Sequence, residues 1–510
     1  MRTSGILLPI SSLPSPGGIG TMGAAAREFV DFLHAAGQHY WQILPVCPTS
    51  YGDSPYQSFS TFAGNPYFID LDQLAEAGLL TPEEYRTIDW ESAPDCINYG
   101  VLYEKRYPVL RRACARLLAN PPEDYEQFLA DNAFWLPDYA LFMALKDAHG
   151  GKSWLEWERP LRLRKPAELD KARRYHKANI DFWQAVQYLF YTQWKKLKAY
   201  ANARGVEIIG DLPIYVAADS VDVWSSPQEF QLDENLLPIE VAGCPPDGFS
   251  ATGQLWGNPL FDWDAMAATG YRWWVRRIRH LCSIYDLLRI DHFRGFAGYY
   301  AIPYGDKTAE HGRWRTGPGY SLFAAVKKEL GSPRIIAEDL GFLTDDVREL
   351  LAKCEYPGMK VLEFAFDSRD GGDYRPHSYP TNCVAYTGTH DNEPVQGWFA
   401  TSDKTDTDRA VEYLNLTKKE GYHWGMMRGV WASTADLAVV QAQDVLGLGH
   451  ESRMNTPSTL GGNWCWRALP GAFTPALAQK LNHLMELYGR LPAEAAPEDA
   501  TQDPADSPSV

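Results

Sequence analysis

Short apolar strands alternate with amphipathic helices along most of this 510-residue chain, and no other feature restricts its fold as much. The pattern predicts strands at Ile6–Ile10, Tyr40–Leu44, Val206–Ile209, Leu287–Ile290, Ile335–Ala337, Lys360–Phe364, Cys383–Tyr386 and Val439–Val445. Helices are predicted over Ala24–Ala36, Phe182–Arg204, Trp273–Ile284, Ser321–Leu330 and Asp345–Lys353, the last capped by Thr344. Thr474-Pro475 opens a final helix to about Tyr488. Each strand reads as buried on both faces, which suits parallel strands joined by helices. Eight such βα units predict an α/β fold, a (β/α)8 TIM barrel; a doubly wound sheet is the alternative.

The repeat is broken by long stretches rich in Pro, Trp, Tyr and charge. These predict large, mainly helical insertions at about 50–205, 213–272 and 393–435, with a helix over Tyr99–Leu118 in the first. The expected organisation is one domain over residues 1–493. Residues 494–510, mostly Ala, Pro, Asp, Glu and Ser, are expected to be a disordered tail.

Composition narrows the partners. Net charge is −17, from 65 acids and 48 bases, which argues against nucleic acid or an anionic membrane surface. Aromatic residues make up 13%, and some are expected to form platforms for the C–H faces of sugar rings. The eight cysteines lie far apart, with no CxxC pair and no Cys/His cluster, so neither a zinc site nor a disulfide framework is indicated. No stretch has the length of a transmembrane span, and the first residues make no signal sequence. A cytoplasmic enzyme is expected.

Four of the predicted strands run out into acids. Arg289-Ile290-Asp291-His292-Phe293-Arg294-Gly295 puts Asp291 at a strand end, with Arg289 two residues earlier on the same side of the pleat. Asp211 follows Ile209-Gly210, Glu338 follows Ala337, and Asp391 follows Thr387-Gly388-Thr389-His390. In a barrel all four converge on the C-terminal face, where barrel enzymes do their chemistry. Two acids flanking a glycosidic bond are the standard means of cleaving it, one ionised and one protonated. Arg289 favours the ionised form of Asp291, which is the expected nucleophile. Glu338 has no adjacent base and is the expected acid/base. Asp391, between His390 and Asn392, is placed to hold sugar hydroxyls and to stabilise positive charge. Residues 243–258, rich in Gly and Pro and carrying Phe249 and Trp256, show no helix or strand period and read as a loop lid.

These motifs resemble the 4-α-glucanotransferases called amylomaltases or disproportionating enzymes, glycoside hydrolase family 77 of the α-amylase clan. The resemblance runs from Ser4 to about Tyr488. Beyond the heptad it is carried by residues 7–23, 54–72, 210–224 and 243–259, by Ala337–Gly341 and Gly388–Asn392, and by Asn463-Trp464-Cys465-Trp466-Arg467. It departs at Ser458, where many relatives have glycine. It implies a retaining double displacement through a glycosyl–Asp291 ester, with Glu338 as acid/base and Asp391 as stabiliser. No metal, no cofactor and no C-terminal β-sandwich are implied. Substrates would be α-1,4-glucans, with glucose as an acceptor. The resemblance also puts Asp247 and Trp256 near bound sugar, and Ser54, Tyr56, Asp211, Arg289, His390 and Asn463 in donor or acceptor subsites.

Two other readings compete. An α-glucan hydrolase would share every carboxylate. A nucleotide-dependent oxidoreductase draws on Gly18-Ile19-Gly20-Thr21-Met22-Gly23, which fits a dinucleotide fingerprint in outline. Seven residues, Ser11 to Gly17, separate those glycines from the strand, so the tight phosphate-cradling turn is missing.

Overall fold

Eight parallel strands wind into a barrel in the order in which the chain supplies them. The computed structural model describes residues 2–50, 52–91, 93–246, 250–341, 343–369, 374–459 and 461–492. Among these the strands are β1 (Thr3–Leu7), β2 (Tyr40–Gln42), β3 (Glu207–Leu212), β4 (Glu240–Cys244), β5 (Gln254–Pro259), β6 (Leu287–Ile290), β7 (Gly298–Pro303), β8 (Arg313–Thr316), β9 (Ile335–Ala337), β10 (Gly358–Val361), β11 (Cys383–Tyr386) and β12 (Leu437–Gln441). The parallel sheet has the spatial order β10-β11-β12-β1-β2-β3-β6-β9. The gap between β9 and β10 is bridged by Ala337 N–H donating to Pro357 O at 2.9 Å and Met359 N–H donating to the Asp339 carboxylate at 2.6 Å. The fold is a (β/α)8 barrel with helical insertions.

Period-two alternation sorts the side chains. Leu7, Ile209, Leu287, Ile336, Val361, Val384, Tyr386 and Val439 fill the barrel interior. Their neighbours Ile6, Ile208, Leu288, Ile335, Ala385 and Val440 pack outward against the helices. Between β2 and β3 the helices Tyr99–Ala119, Leu136–Ala148 and Lys177–Asn202 pack on one another as a single insertion.

The predicted helices recur within one or two residues at each end, except that the one expected from Phe182 begins at Lys177. Thr344 does precede the helix Asp345–Cys354, but its side chain makes no capping bond; Thr474 does cap the helix Pro475–Leu487, accepting from Leu477 N. Three predicted strands begin too late. Ile10 lies in a 3-10 turn after β1, Leu362–Phe366 form another after β10, and Ala442–Leu446 are helical after β12. In each case an apolar run continues past the barrel rim into a buried turn.

The loop reading of residues 243–258 is corrected. β4 and β5 pair as an antiparallel hairpin and join β7 and β8 in a separate four-stranded sheet. Phe249 lies outside the described residues, as does the predicted tail from residue 494. The glycines at 18–23 serve packing. A Cβ on Gly20 would stand 1.8 Å from Ile10 O.

Candidate active site

Barrel register brings the strand-end acids together. Asp211 on β3 lies directly opposite Arg289 on β6, and Arg289 lies opposite Ile336, two residues before Glu338. Gly210 allows this close approach, because a Cβ there would stand 2.1 Å from the Tyr285 ring. Alternation then turns Asp211, Arg289, Asp291 and Glu338 toward the barrel axis.

Arg289 is the electrostatic centre. Its side chain is 3% exposed. Nη1 donates to both oxygens of Asp211, at 2.8 and 2.7 Å, and Nη2 donates to Asp291 Oδ1 at 2.9 Å. Burial alone would lower the guanidinium's pKa; the charges of Asp211 and then Asp291 reverse this and hold it well above its ordinary value. Among the described residues no hydrogen bond reaches Asp291 Oδ2.

Glu338 stands close enough to Asp291 to feel its charge. Its oxygens accept from the backbone N–H groups of His292 and Leu340, both at 2.7 Å. His292 reaches this position by adopting φ 53°, ψ 48°, a left-handed conformation costly for a residue with a Cβ. Burial first, and the Asp291 charge second, push the Glu338 carboxyl up to about 7, against the pull of Arg289 and the two N–H groups. One acid is thus paired with a cation while its neighbour holds a proton near neutrality. That division of labour is what acid-assisted nucleophilic displacement requires.

A polar belt continues around the rim. Tyr56 OH donates to Asp211 Oδ2 at 2.7 Å and lies 3.3 Å from His390 Nδ1, and His390 Nε2 lies 3.4 Å from Asp391 Oδ1. The Tyr56 and His390 rings stack at 4.9 Å, 17° from parallel. Asp391 itself is 45% exposed and open to a ligand. Ser54 stands behind the belt, its hydroxyl accepting from Tyr56 N at 3.2 Å.

Trp256 on β5 meets the His292 ring edge-on at 4.9 Å, so the hairpin reaches the turn that follows Asp291. Asp247 lies outside the described residues. Asn463 spends its side chain on its own loop, accepting from Thr456 N and donating to Thr459. Asn392 does likewise for its loop, accepting from Thr389 N and Oγ1 at 2.9 and 2.8 Å.

Trp464 was not singled out from sequence. Its ring lies 5.7 Å from Tyr56 and 6.0 Å from His390, extending the aromatic wall beside Asp391. Its place within the Asn463–Arg467 motif was the available signal. Among the described residues no group of three or more His, Cys, Asp or Glu is arranged to hold a metal ion, and all eight cysteines are free thiols.

A family model described as 4-alpha-glucanotransferase matches residues 8–471. The chain is 51% identical to a 4-alpha-glucanotransferase of Clostridium butyricum, over 94% of this chain and 99% of that one. It is 45% identical to that of Thermus thermophilus, over 96% and 99%. The amylomaltase of Streptococcus agalactiae, solved in complex with acarbose, superposes with a TM-score of 0.94 at 41% identity, covering 96% of this chain and all of that one. The chain belongs to glycoside hydrolase family 77, the 4-alpha-glucanotransferases.

Proposed function

We propose that the protein is a 4-α-glucanotransferase that moves α-1,4-glucan segments between maltodextrins by a retaining double displacement at Asp291. The observation that carries the mechanism is the division between its two central acids: Asp291 paired with buried Arg289, and Glu338 raised to about 7 beside it.

In the first step an Asp291 oxygen attacks the anomeric carbon of the donor. Glu338 gives its proton to the glycosidic oxygen, and the shortened glucan leaves with a new hydroxyl. The product on the enzyme is a glycosyl–Asp291 ester. Esterification removes the Asp291 charge, which after burial is the second cause of the raised Glu338 pKa, and the Glu338 carboxylate left by proton donation is the base that the second step needs. The acceptor's 4-hydroxyl then loses its proton to Glu338 as its oxygen displaces Asp291. Two inversions restore the α configuration.

The half-exposed Asp391 holds sugar hydroxyls and stabilises positive charge at the anomeric centre. Ser54, Tyr56, Asp211, Arg289, His390 and Asn463 belong to the donor or acceptor subsites. We assign Asp247 and Trp256 to contact with bound sugar, and glucose serves as an acceptor. The hairpin that carries Trp256 to His292 shields the ester from water and presents an aromatic surface to an incoming glucan, which favours transfer over hydrolysis. We assign the whole of residues 1–493 to this one catalytic domain, working in the cytoplasm without metal or cofactor. Among the described residues no helix is long and apolar enough to cross a membrane.

Incubation with maltotriose tests the reading. Transfer yields glucose and a ladder of longer maltodextrins. Shorter products alone would mean an α-glucan hydrolase and would overturn it. Asp291→Asn should abolish both outcomes, and near-normal turnover in that variant would remove the nucleophile assignment.

A further inference from the structure

We infer that Arg453 and Asn455 are positioning residues that set Asp391 for the reaction. The inference rests on the proposed role of Asp391 and asks what holds that residue in place.

Asp391 stands in the segment after β11, and its own loop gives it little support. Its N–H reaches Thr389 Oγ1 at 3.3 Å, a long contact. The two short hydrogen bonds come from more than sixty residues away. Asn455 Nδ2 donates to Asp391 Oδ1 at 2.7 Å, and Arg453 Nη2 donates to the Asp391 carbonyl at 2.7 Å. One bond fixes the carboxylate and the other fixes the backbone that carries it.

Arg453 is locked on its remaining edges. Nη1 donates to Glu393 Oε1 at 2.5 Å, and Nε donates to the carbonyl of Asn455 at 2.8 Å. The side chains of Arg453 and Glu393 are only 18% and 12% exposed. A single guanidinium therefore ties three things together: the acid two residues past Asp391, the Asp391 backbone, and the residue whose amide holds the Asp391 carboxylate. From the other side, Trp464 N donates to Met454 O at 2.7 Å, while the Trp464 ring packs toward Tyr56 and His390. The 453–455 segment is thus braced by the aromatic wall and the Glu393 ion pair alike.

The chemistry makes these residue types hard to exchange. A lysine at 453 has one point of charge and no planar fork, so it cannot serve Glu393, Asp391 and the Asn455 carbonyl together. An aspartate at 455 would bring a like charge against Asp391 where the amide N–H now donates. Orientation matters because a stabiliser displaced by a fraction of an ångström loses its alignment with developing charge.

The test is a double-mutant cycle. Asn455→Ala, Asn455→Asp and Arg453→Lys are made in the parent and in an Asp391→Asn background. Turnover of α-maltosyl fluoride, whose ready leaving group keeps slow variants measurable, is followed with melting temperature. In the parent, Asn455→Ala should lower kcat about 10- to 100-fold with KM changed less than about threefold, and Asn455→Asp should be worse. In the Asp391→Asn background Asn455→Ala should cost less than about twofold, because a residue acting only through Asp391 has nothing left to position. An undiminished effect in that background, or parent-like kcat in both folded Asn455 variants, overturns the inference. Near-normal turnover of Asp391→Asn alone would instead overturn the role given to Asp391, a distinct result read from the same set.

Discussion

Replacing Arg289 with methionine should be among the most damaging single changes in the barrel, and its effects can be estimated in advance. The guanidinium makes three charge-assisted hydrogen bonds, two to Asp211 and one to Asp291. The Asp211 side chain is fully buried at 0% exposure, so removing its cation strands a charge with the Tyr56 hydroxyl as its remaining short partner. Breaking a buried pair in this way costs about 3–5 kcal/mol. Unfolding entropy of about 2.1 cal/mol/K per residue, taken over 510 residues, comes to roughly 1.1 kcal/mol/K, so the melting temperature should fall by only about 3–5 °C. Catalysis suffers as well. Losing the Nη2 bond to Asp291 removes about 1.5–3 kcal/mol, or roughly 10- to 150-fold in rate. A third effect concerns pH. Glu338 must be protonated to act, so kcat/KM in the parent should be present at low pH and lost as pH rises through about 7. Arg289 pulls the Glu338 pKa down, so its removal should move that limb upward. Calorimetry and the pH dependence of maltotriose disproportionation measure all three. A folded Arg289→Met variant whose basic limb stays put, or moves down, would falsify the electrostatic account.

Other expectations follow from single positions. Glu338→Gln should lose most activity on maltotriose yet form the glycosyl ester readily from α-glucosyl fluoride, which needs no acid to expel its leaving group; equal loss on both donors would rule out an acid role. Gly210→Ala should be destabilised by at least about 1–3 kcal/mol and impaired in turnover, since its Cβ would meet the Tyr285 ring at 2.1 Å next to Asp211; a parent-like denaturation midpoint would count against that packing. Ser458 is exposed at φ 64°, so Ser458→Gly should be neutral or stabilising by up to about 1 kcal/mol, and a clear loss in chemical denaturation would contradict the backbone conformation.

The barrel was legible because its strands are buried on both faces and therefore read as short apolar runs. The same property blurred their ends. Ile10, Leu362 and Ala442 are as buried as the strand residues before them, so hydrophobicity could not mark where pairing stops. The four-stranded sheet was missed for the opposite reason. In β5, Gln254-Leu255-Trp256-Gly257-Asn258-Pro259 mixes half-exposed residues with glycine and proline, which erases the period that reveals a strand. Antiparallel pairing with β4 supplies the order that local propensity does not.

At the site, sequence by itself determined which residues stand at strand ends, because a period of two and an adjacent apolar run fix which acids face the axis. Asp211, Asp291 and Glu338 follow from that rule. What surrounds them was settled only by the closed barrel. Register sets Arg289 opposite Asp211, which adds a second acid to the one that spacing along its own strand already pairs with it. The turn at His292 aims its N–H at Glu338, and Asn455, Arg453 and Trp464 come to Asp391 and its neighbours from loops more than sixty residues away. Such contacts carry no periodic signal in the chain. They form because eight strands closed in a ring deliver their following loops to one rim, where residues remote in sequence become neighbours.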